Sequence, residues 1–367
     1  MLRLMQGDVK QFASKIENRP LICFGAGKRL TAFCACYPAY RFQDRIALLL
    51  DSNEALHGTH KTIGQVKIPV HSYRAAWEHP GKEAVVLVTN FWQYDEIVKQ
   101  LDADAAFDGL ECYIEPFFED SYTPQAFPVR RTDTPLIPHA IHYCWFGGSS
   151  LPERLVQCVV SWRALCPGYE IIRWDETNYD VTRIPYMKEA YQAEKWAFVS
   201  DYARLDVVYR HGGIYLDTDV EVLKPLDDLC HHEMFVGFES NRQVAFGLGF
   251  GAVKGHPVLR QLLERYAQEA FLETACTEMV ACPVYQTECL QQYGLKADGT
   301  FQQLEHVTVF PREVLSPETF LRTNPAYTER TYAVHHYAAT WYDAAELERV
   351  ERLRAVKREL FSRIMHL

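Results

Sequence analysis

The chain has 367 residues, of which 48% are hydrophobic, 13% aromatic and 23% charged. That length suits two domains with separate cores, and the composition is that of a folded globular protein, not of a disordered or fibrous one. The formal net charge of −10 argues against bulk nucleic-acid binding, which needs a basic face. No stretch approaches the roughly 18 consecutive apolar residues of a membrane span. The eleven cysteines are an odd number without a CxxC pair, and the N-terminus lacks the apolar core of a signal peptide. Both features predict reduced thiols and a cytoplasmic chain.

In chain order, PLICFGAG (20–27), RIALLLDSN (45–53) and AVVLVTN (84–90) read as buried strands. KRLTAFCACY and FWQYDEIVKQL between and after them carry helical periodicity. This alternation predicts an α/β fold whose first domain, residues 1–120, is a Rossmann-like parallel sheet. Gly25-Ala26-Gly27 follows a strand and opens a helix, with Asp51 about 24 residues further on, the outline of a dinucleotide fingerprint. The third glycine is replaced by Leu30. Gly25, Gly27 and Lys28, with Arg29 beside them, are candidate anion ligands at a helix N-terminus. An NAD-linked oxidoreductase or other sugar-modifying enzyme working through this domain is therefore the alternative functional reading.

Residues 121–133 are proline-containing and aperiodic, and read as a linker. The second domain, 134–343, starts with the strand-and-turn IPHAIHYCWFGG, then the helix LPERLVQCVVSWRALC and the strand YEIIRWDE. A long helix is expected from about Met187 to His211, closed by Gly212 and Gly213. The strand GIYLDTDVEV (213–222), the strands FVGFES and FGLGFGAV, and the helix HPVLRQLLERYAQEAF follow. The tail, 344–367, spaces Leu347, Val350, Leu353, Val356, Leu360 and Ile364 three or four apart, an amphipathic helix. Its basic face suits packing on a domain, self-association, or peripheral contact with the inner membrane.

The chemistry concentrates in WAFVSDYARLDVVYRHGGIYLDTDV, residues 196–220. On a strand, Asp217 and Asp219 would point to the same side, and paired carboxylates suit a hard divalent cation. Asp201 and Arg204 are neighbours on one face of an otherwise apolar helix and need partners. Taken singly, each pair reads equally well as a structural ion pair or as turn residues. Both together, across one Gly-Gly turn, point to a site. A haloacid-dehalogenase phosphatase also has an aspartate pair after an apolar strand, but Glu221 stands where that chemistry wants Thr or Val. A non-enzymatic scaffold is the remaining alternative.

The run FVSDYARLDVVYRHGGIYLDTDVEVLKPLDDL resembles the DXD sugar-binding region of glycosyltransferases related to the yeast initiating mannosyltransferase and to bacterial capsule and lipopolysaccharide sugar transferases. The clostridial glucosylating toxins share the core of that family. IPHAIHYCWFGG, YEIIRWDETNYD, EAYQAEKWAF and HHYAATW extend the resemblance over residues 134–342. It implies a GT-A domain that transfers a hexose, with retention, from a nucleoside-diphosphate sugar. UDP is favoured over GDP, and the acceptor is a saccharide or lipid-linked molecule of surface polysaccharide synthesis. By position it implies Asp219 as metal ligand, with Asp217 sharing the metal and holding donor ribose or sugar. Asp201 and Arg204 would bind donor hydroxyls, Ser200 would lie near the nucleotide, and Trp145 would stack on the base. Thr340 and Trp341 would contact the diphosphate. His336, or failing it His335, would be the last metal ligand, and a histidine beside two carboxylates favours Mn2+ over Mg2+. Glu239 and the glycines of FGLGFGAV fall in the acceptor region, where turn and strand duties explain them equally well.

Overall fold

The computed structural model describes residues 1–73, 81–271, 281–321, 325–338 and 344–365. The chain divides into two compact units, Met1–Tyr122 with Ala345–Leu367, and Thr123–Ala344.

The first unit is built on β1 (Arg3–Leu4), β2 (Leu21–Phe24), β3 (Ile46–Asp51), β4 (His60–Ile63), β5 (Val66–Ser72), β6 (Val85–Val88) and β7 (Glu111–Ile114). These lie in the order β1-β7-β6-β2-β3-β5-β4, every pair parallel except β4 with β5. The central strands β2 and β6 are buried along their whole length, as expected of parallel strands covered on both faces. Helices α1 (Val9–Lys15), α2 (Lys28–Cys36) and α3 (Tyr94–Asp102) cover the sheet. α3 starts three residues later than the apolar run suggests, because Asn90 Oδ1 accepts from the Trp92 and Gln93 amides and holds that segment as a loop.

The second unit carries β8 (Ala140–Cys144), α4 (Glu153–Leu165), β9 (Glu170–Trp174), α5 (Pro185–Gln192), α6 (Trp196–His211), β10 (Gly213–Tyr215), β11 (Val220–Val222), β12 (Met234–Gly237), β13 (Phe250–Ala252), α7 (Pro257–Tyr266), α8 (Cys282–Gln291), β14 (Gln302–Gln303), β15 (Thr308–Phe310) and β16 (Ala333–His335). Its main sheet runs β14-β15-β12-β13-β10-β8-β9, and β11 and β16 form a separate ribbon. The sheet is mixed: β10, β8 and β9 are mutually parallel, whereas β13 is antiparallel to both β10 and β12. Trp145 and Leu216 therefore follow the carboxyl ends of neighbouring parallel strands, where open α/β sheets bind ligands.

The single long helix expected from Met187 to His211 is two helices. α5 ends in a Schellman motif: Glu194 N–H donates to Tyr191 O at 3.0 Å and Lys195 N–H to Ala190 O at 2.9 Å. Glu194 takes the left-handed conformation, φ 56°, a position usually given to glycine, so no glycine marks the break. At the far end of α6 the expected stop holds. Gly212 caps the helix, and a Cβ on Gly213 (φ +111°) would stand 2.8 Å from Ala140 O and 2.9 Å from His142 Nε2.

His142 itself is fully buried. Its Nε2 donates to Gly212 O at 2.8 Å and its Nδ1 accepts from Trp174 Nε1 at 3.1 Å, which requires the neutral ring. Burial pushes its pKa down from 6.5 to about 4, and does the same to His232. A depressed histidine stabilises the fold above its unfolded pKa, and that contribution is lost as pH falls from 6.5 towards 4. We expect the second unit to lose about 3 kcal/mol from His142 alone across that window. Urea midpoints at pH 7 and pH 4.5 should show this loss, and His142→Gln should reduce the difference. An identical pH response in the variant would contradict the assignment.

The C-terminal helix α9 (Ala344–Met365) joins the first unit. Val350, Leu353 and Leu360 are buried, Tyr94 donates its hydroxyl to Leu353 O at 3.0 Å, and Phe361 packs on Phe117. Leu347, expected on the apolar seam, is exposed, and Lys357 is buried. The basic side chains are engaged by the same unit: Arg352 with Asp95 at 3.0 Å, Arg363 with Asp102 at 2.9 Å, Lys357 against Phe117 and Arg349 against Trp92. The structure thus favours packing on a domain among the three roles open to this helix.

Candidate functional site

Alternation along one continuous strand would place Asp217 and Asp219 together. The structure brings them together in another way. β10 ends at Tyr215 and β11 starts at Val220. The residues between them turn, with Asp217 N–H donating to Gly247 O at 3.3 Å and Val220 N–H to Asp217 O at 3.0 Å. The chain thereby leaves the main sheet for the ribbon, whose register sets Val220 opposite His335. Asp217, Asp219 and His335 offer ligand atoms that all lie within 4.8 Å of one another.

Counting back from Trp341 selects His336 for this place, but the structure puts His335 there. His335 Nε2 lies 3.2 Å from Asp219 Oδ1. His336, one residue on, turns away and pairs Nε2 with Glu221 Oε2 at 2.8 Å, while its amide donates to Asp219 O at 3.0 Å. Successive residues of an extended segment face opposite sides, so only one of the two can meet the carboxylates. His335 Nδ1 is buried and has no hydrogen-bond partner among the described residues.

Arg204 ties α6 to this turn. Its Nη2 lies 3.2 Å from Asp201 Oδ1 and 3.2 Å from Asp217 Oδ1, and the guanidinium sits over the Tyr215 ring. Tyr215 donates its hydroxyl to Asp217 Oδ1 at 2.9 Å. Burial pushes the carboxyls of Asp201 and Asp217 above their ordinary values despite Arg204. Burial acts on Asp219 in the same direction, but His335 and the amide of Ala338, at 2.8 Å, outweigh it and hold that carboxyl well below the usual range. For His335, burial lowers the pKa, and Asp219, Asp217 and Glu239 outweigh it and raise it. Three carboxylates thus face Arg204 and one histidine. That is a donor set of two carboxylate ligands and an imidazole with negative charge in excess, and it fits a divalent cation.

Two further residues of this cluster were not expected in it. Cys282, at the start of α8, accepts from Arg204 Nη1 at 3.8 Å, a pairing across 78 residues, and also hydrogen-bonds Asp201. Gly247, one of the FGLGFGAV glycines expected in the acceptor region, lies against Asp217 and Arg204. A Cβ there would stand 2.4 Å from Asp217 Oδ2 and 3.3 Å from Arg204 Nη1. Gly247→Ala should therefore displace the Asp217 carboxylate and lower activity by about two orders of magnitude, the scale of a misplaced catalytic group. Because the displaced carboxylate is held by Arg204 and Tyr215, the variant should also lose about 1–3 kcal/mol of stability while remaining folded. Steady-state kinetics beside thermal melts test this, and unchanged kinetics would contradict it.

The remaining predicted positions are scattered. Trp145 is partly exposed past the end of β8, its ring N–H donating to Ser149 O at 2.8 Å. Gly147 must be glycine, since a Cβ would meet Trp196 at 2.7 Å. Ser200 bonds back along α6 to Trp196 O at 3.1 Å. Thr340 and Trp341 lie outside the described residues. In the first unit, Gly25 (φ 111°) makes the turn after β2 and Gly27 precedes Lys28 at the start of α2. Asp51 spends Oδ2 on the Ala26 amide at 2.7 Å and Oδ1 on the Asn53 amide at 2.8 Å, and Arg29 is paired with Glu115. The acid that the fingerprint offers to a ribose thus braces its own loop.

Residues 152–236 match the family described as glycosyltransferase sugar-binding region containing DXD motif. The chain is 31% identical over 139 residues to inositol phosphoceramide mannosyltransferase 3 of Schizosaccharomyces pombe, covering 37% of this chain and 38% of that one. It is 32% identical over 74 residues to human alpha-1,4-N-acetylglucosaminyltransferase, 20% of each chain. The chain spans about two fifths of the length of the fission-yeast mannosyltransferases it matches. A solved structure, PaToxG glycosyltransferase, aligns at 17% identity with a TM-score of 0.35, covering 43% of this chain and 69% of that one.

Proposed function

We propose that this chain, which carries a DXD-type glycosyltransferase sugar-binding region, is a metal-dependent, retaining glycosyltransferase. It moves a hexose from a nucleoside-diphosphate sugar to a saccharide or lipid-linked acceptor, as in the assembly of surface polysaccharides. The observation that carries this reading is the convergence of Asp217, Asp219 and His335 beside the Arg204 and Asp201 pair, at the carboxyl ends of parallel strands. The mixed sheet of the second unit supports a GT-A domain, and the parallel strand order of the first supports a Rossmann-like one. The relatives' names cover mannosyl and N-acetylglucosaminyl transfer, which supports a hexose donor. The lipid in the yeast name supports a lipid-linked acceptor.

In this reading Asp219, Asp217 and His335 hold a divalent cation, Mn2+ favoured, which supplies Lewis-acid neutralisation of the departing diphosphate. Arg204, clamped between two carboxylates, fixes the Asp217 oxygens and orients Asp201 towards the donor sugar's hydroxyls. Trp145, on the neighbouring strand end, offers a ring for the base. Because the polar groups are set before substrate arrives, little reorganisation is needed at the reacting bond. The test is a panel of UDP-glucose, UDP-galactose, UDP-N-acetylglucosamine and GDP-mannose with Mn2+, reading nucleoside diphosphate release. Release from one donor, stopped by chelation and restored by Mn2+, is expected. Release that ignores chelation, or none from any donor, contradicts the reading.

A further inference from the structure

We propose that a groove beside the Asp219 turn holds the part of a saccharide acceptor remote from the reacting hydroxyl, an assignment that rests on the glycosyltransferase reading above. The groove has a volume of about 360 Å³ and is lined by Arg154, Gln157, Val160 and Ser161 of α4, Glu221 of β11, and His336. That size falls in the lower range of small-ligand clefts. Arg154, Gln157 and Ser161 recur at helical spacing, so one face of α4 forms the wall.

The groove is built into the same backbone as the metal-ligand cluster. His336 N–H donates to Asp219 O at 3.0 Å, and Ser161 Oγ accepts from Val222 N–H at 3.0 Å. His335 and His336 point to opposite sides of the chain, one to the carboxylates and one to the groove. The groove therefore reaches the backbone of the turn that carries Asp219, and sugar rings lying in it would pass the edge of that turn to meet the carboxylates. Binding energy collected away from the reacting centre is what positions an acceptor.

The lining chemistry, with a carboxylate, a guanidinium, an amide and a hydroxyl, suits a polyol. The Glu221 carboxylate, fixed by His336 at 2.8 Å and 43% exposed, accepts from hydroxyls. Arg154 and the Gln157 amide supply donors and a further acceptor. Val160, 45% exposed, gives this wall of α4 an apolar spot of the kind that takes the C–H face of a pyranose.

Saturation-transfer NMR with methyl α-glucoside, methyl α-mannoside, methyl β-galactoside and the corresponding disaccharides tests the groove directly. The wild type and Gln157→Trp, an exposed position whose new ring fills the space, are compared. At least one glycoside should bind the wild type and bind the variant about tenfold more weakly, a difference near 1.4 kcal/mol. Nucleoside diphosphate release from the donor panel without acceptor should stay within about twofold. Glu221→Gln should weaken the same glycoside in the same direction. The proposal is overturned if no glycoside binds the wild type or if binding survives Gln157→Trp. It is also overturned if donor turnover falls in parallel, which would assign the groove to the donor. Glycoside binding lost in Gln157→Trp, in a protein that releases no nucleotide from any donor, would uphold the groove and reject the transferase reading.

Discussion

Arg204→Met should destabilise the second unit by about 3–5 kcal/mol, the scale of removing one partner from a buried ion cluster. Arg204 is 5% exposed and Asp201 7% exposed, and the guanidinium is 3.2 Å from oxygens of both Asp201 and Asp217. Removing it leaves two carboxylates whose pKa values burial already pushes up. A raised carboxyl favours the protonated form in the folded state, so the penalty grows as pH rises through the folded pKa values and shrinks in acid. Chemical denaturation at pH 5 and pH 8 should therefore show the larger loss at pH 8. Asp201→Asn added to Arg204→Met should recover part of it, because a neutral amide tolerates the site. Arg204→Lys should retain more stability than Met but lose activity, since an ammonium cannot reproduce the planar fork. A loss under about 1 kcal/mol for Arg204→Met, the range of exposed surface pairs, would mean that the cluster is solvated and not an organising element.

Asp219→Ala should reduce donor turnover by at least about 10²- to 10³-fold, the effect of deleting one preorganised electrostatic group. Asp219 accepts from the Ala338 amide and faces His335, so truncation also leaves a buried donor unmet, at about 1–3 kcal/mol. Asp219→Asn separates the two effects. The amide keeps the size and one acceptor, so its melting temperature should lie closer to wild type, while activity should fall as far as in Ala. Full activity in Asp219→Asn would show that charge at this position is dispensable.

Much of the site was legible in the sequence because its signals are local. Asp201 and Arg204 share a helix face, and Ile214, Tyr215, Leu216, Val220 and Val222 are as buried as their apolarity implies. The errors lie where tertiary pairing decides. Asp217 and Asp219 meet across a turn because β11 pairs with β16 over 100 residues away, which no local period encodes. That same register chooses His335 over His336. The break between α5 and α6 depends on Glu194 adopting φ 56° without a glycine to announce it. Cys282 reaches Arg204 only through the fold. The docking of α9 on the first unit was one of three readings that its amphipathic pattern left open, and Tyr94 and Asp95 settle it from a distant helix.

Manganese binding followed by electron paramagnetic resonance, with and without UDP, tests the three-residue cation site most directly. The geometry predicts one Mn2+ per chain, with affinity reduced at least about tenfold by Asp219→Asn and by His335→Asn, and within about twofold of wild type in His336→Asn. Absence of binding, or a loss in His336→Asn with none in His335→Asn, would contradict it.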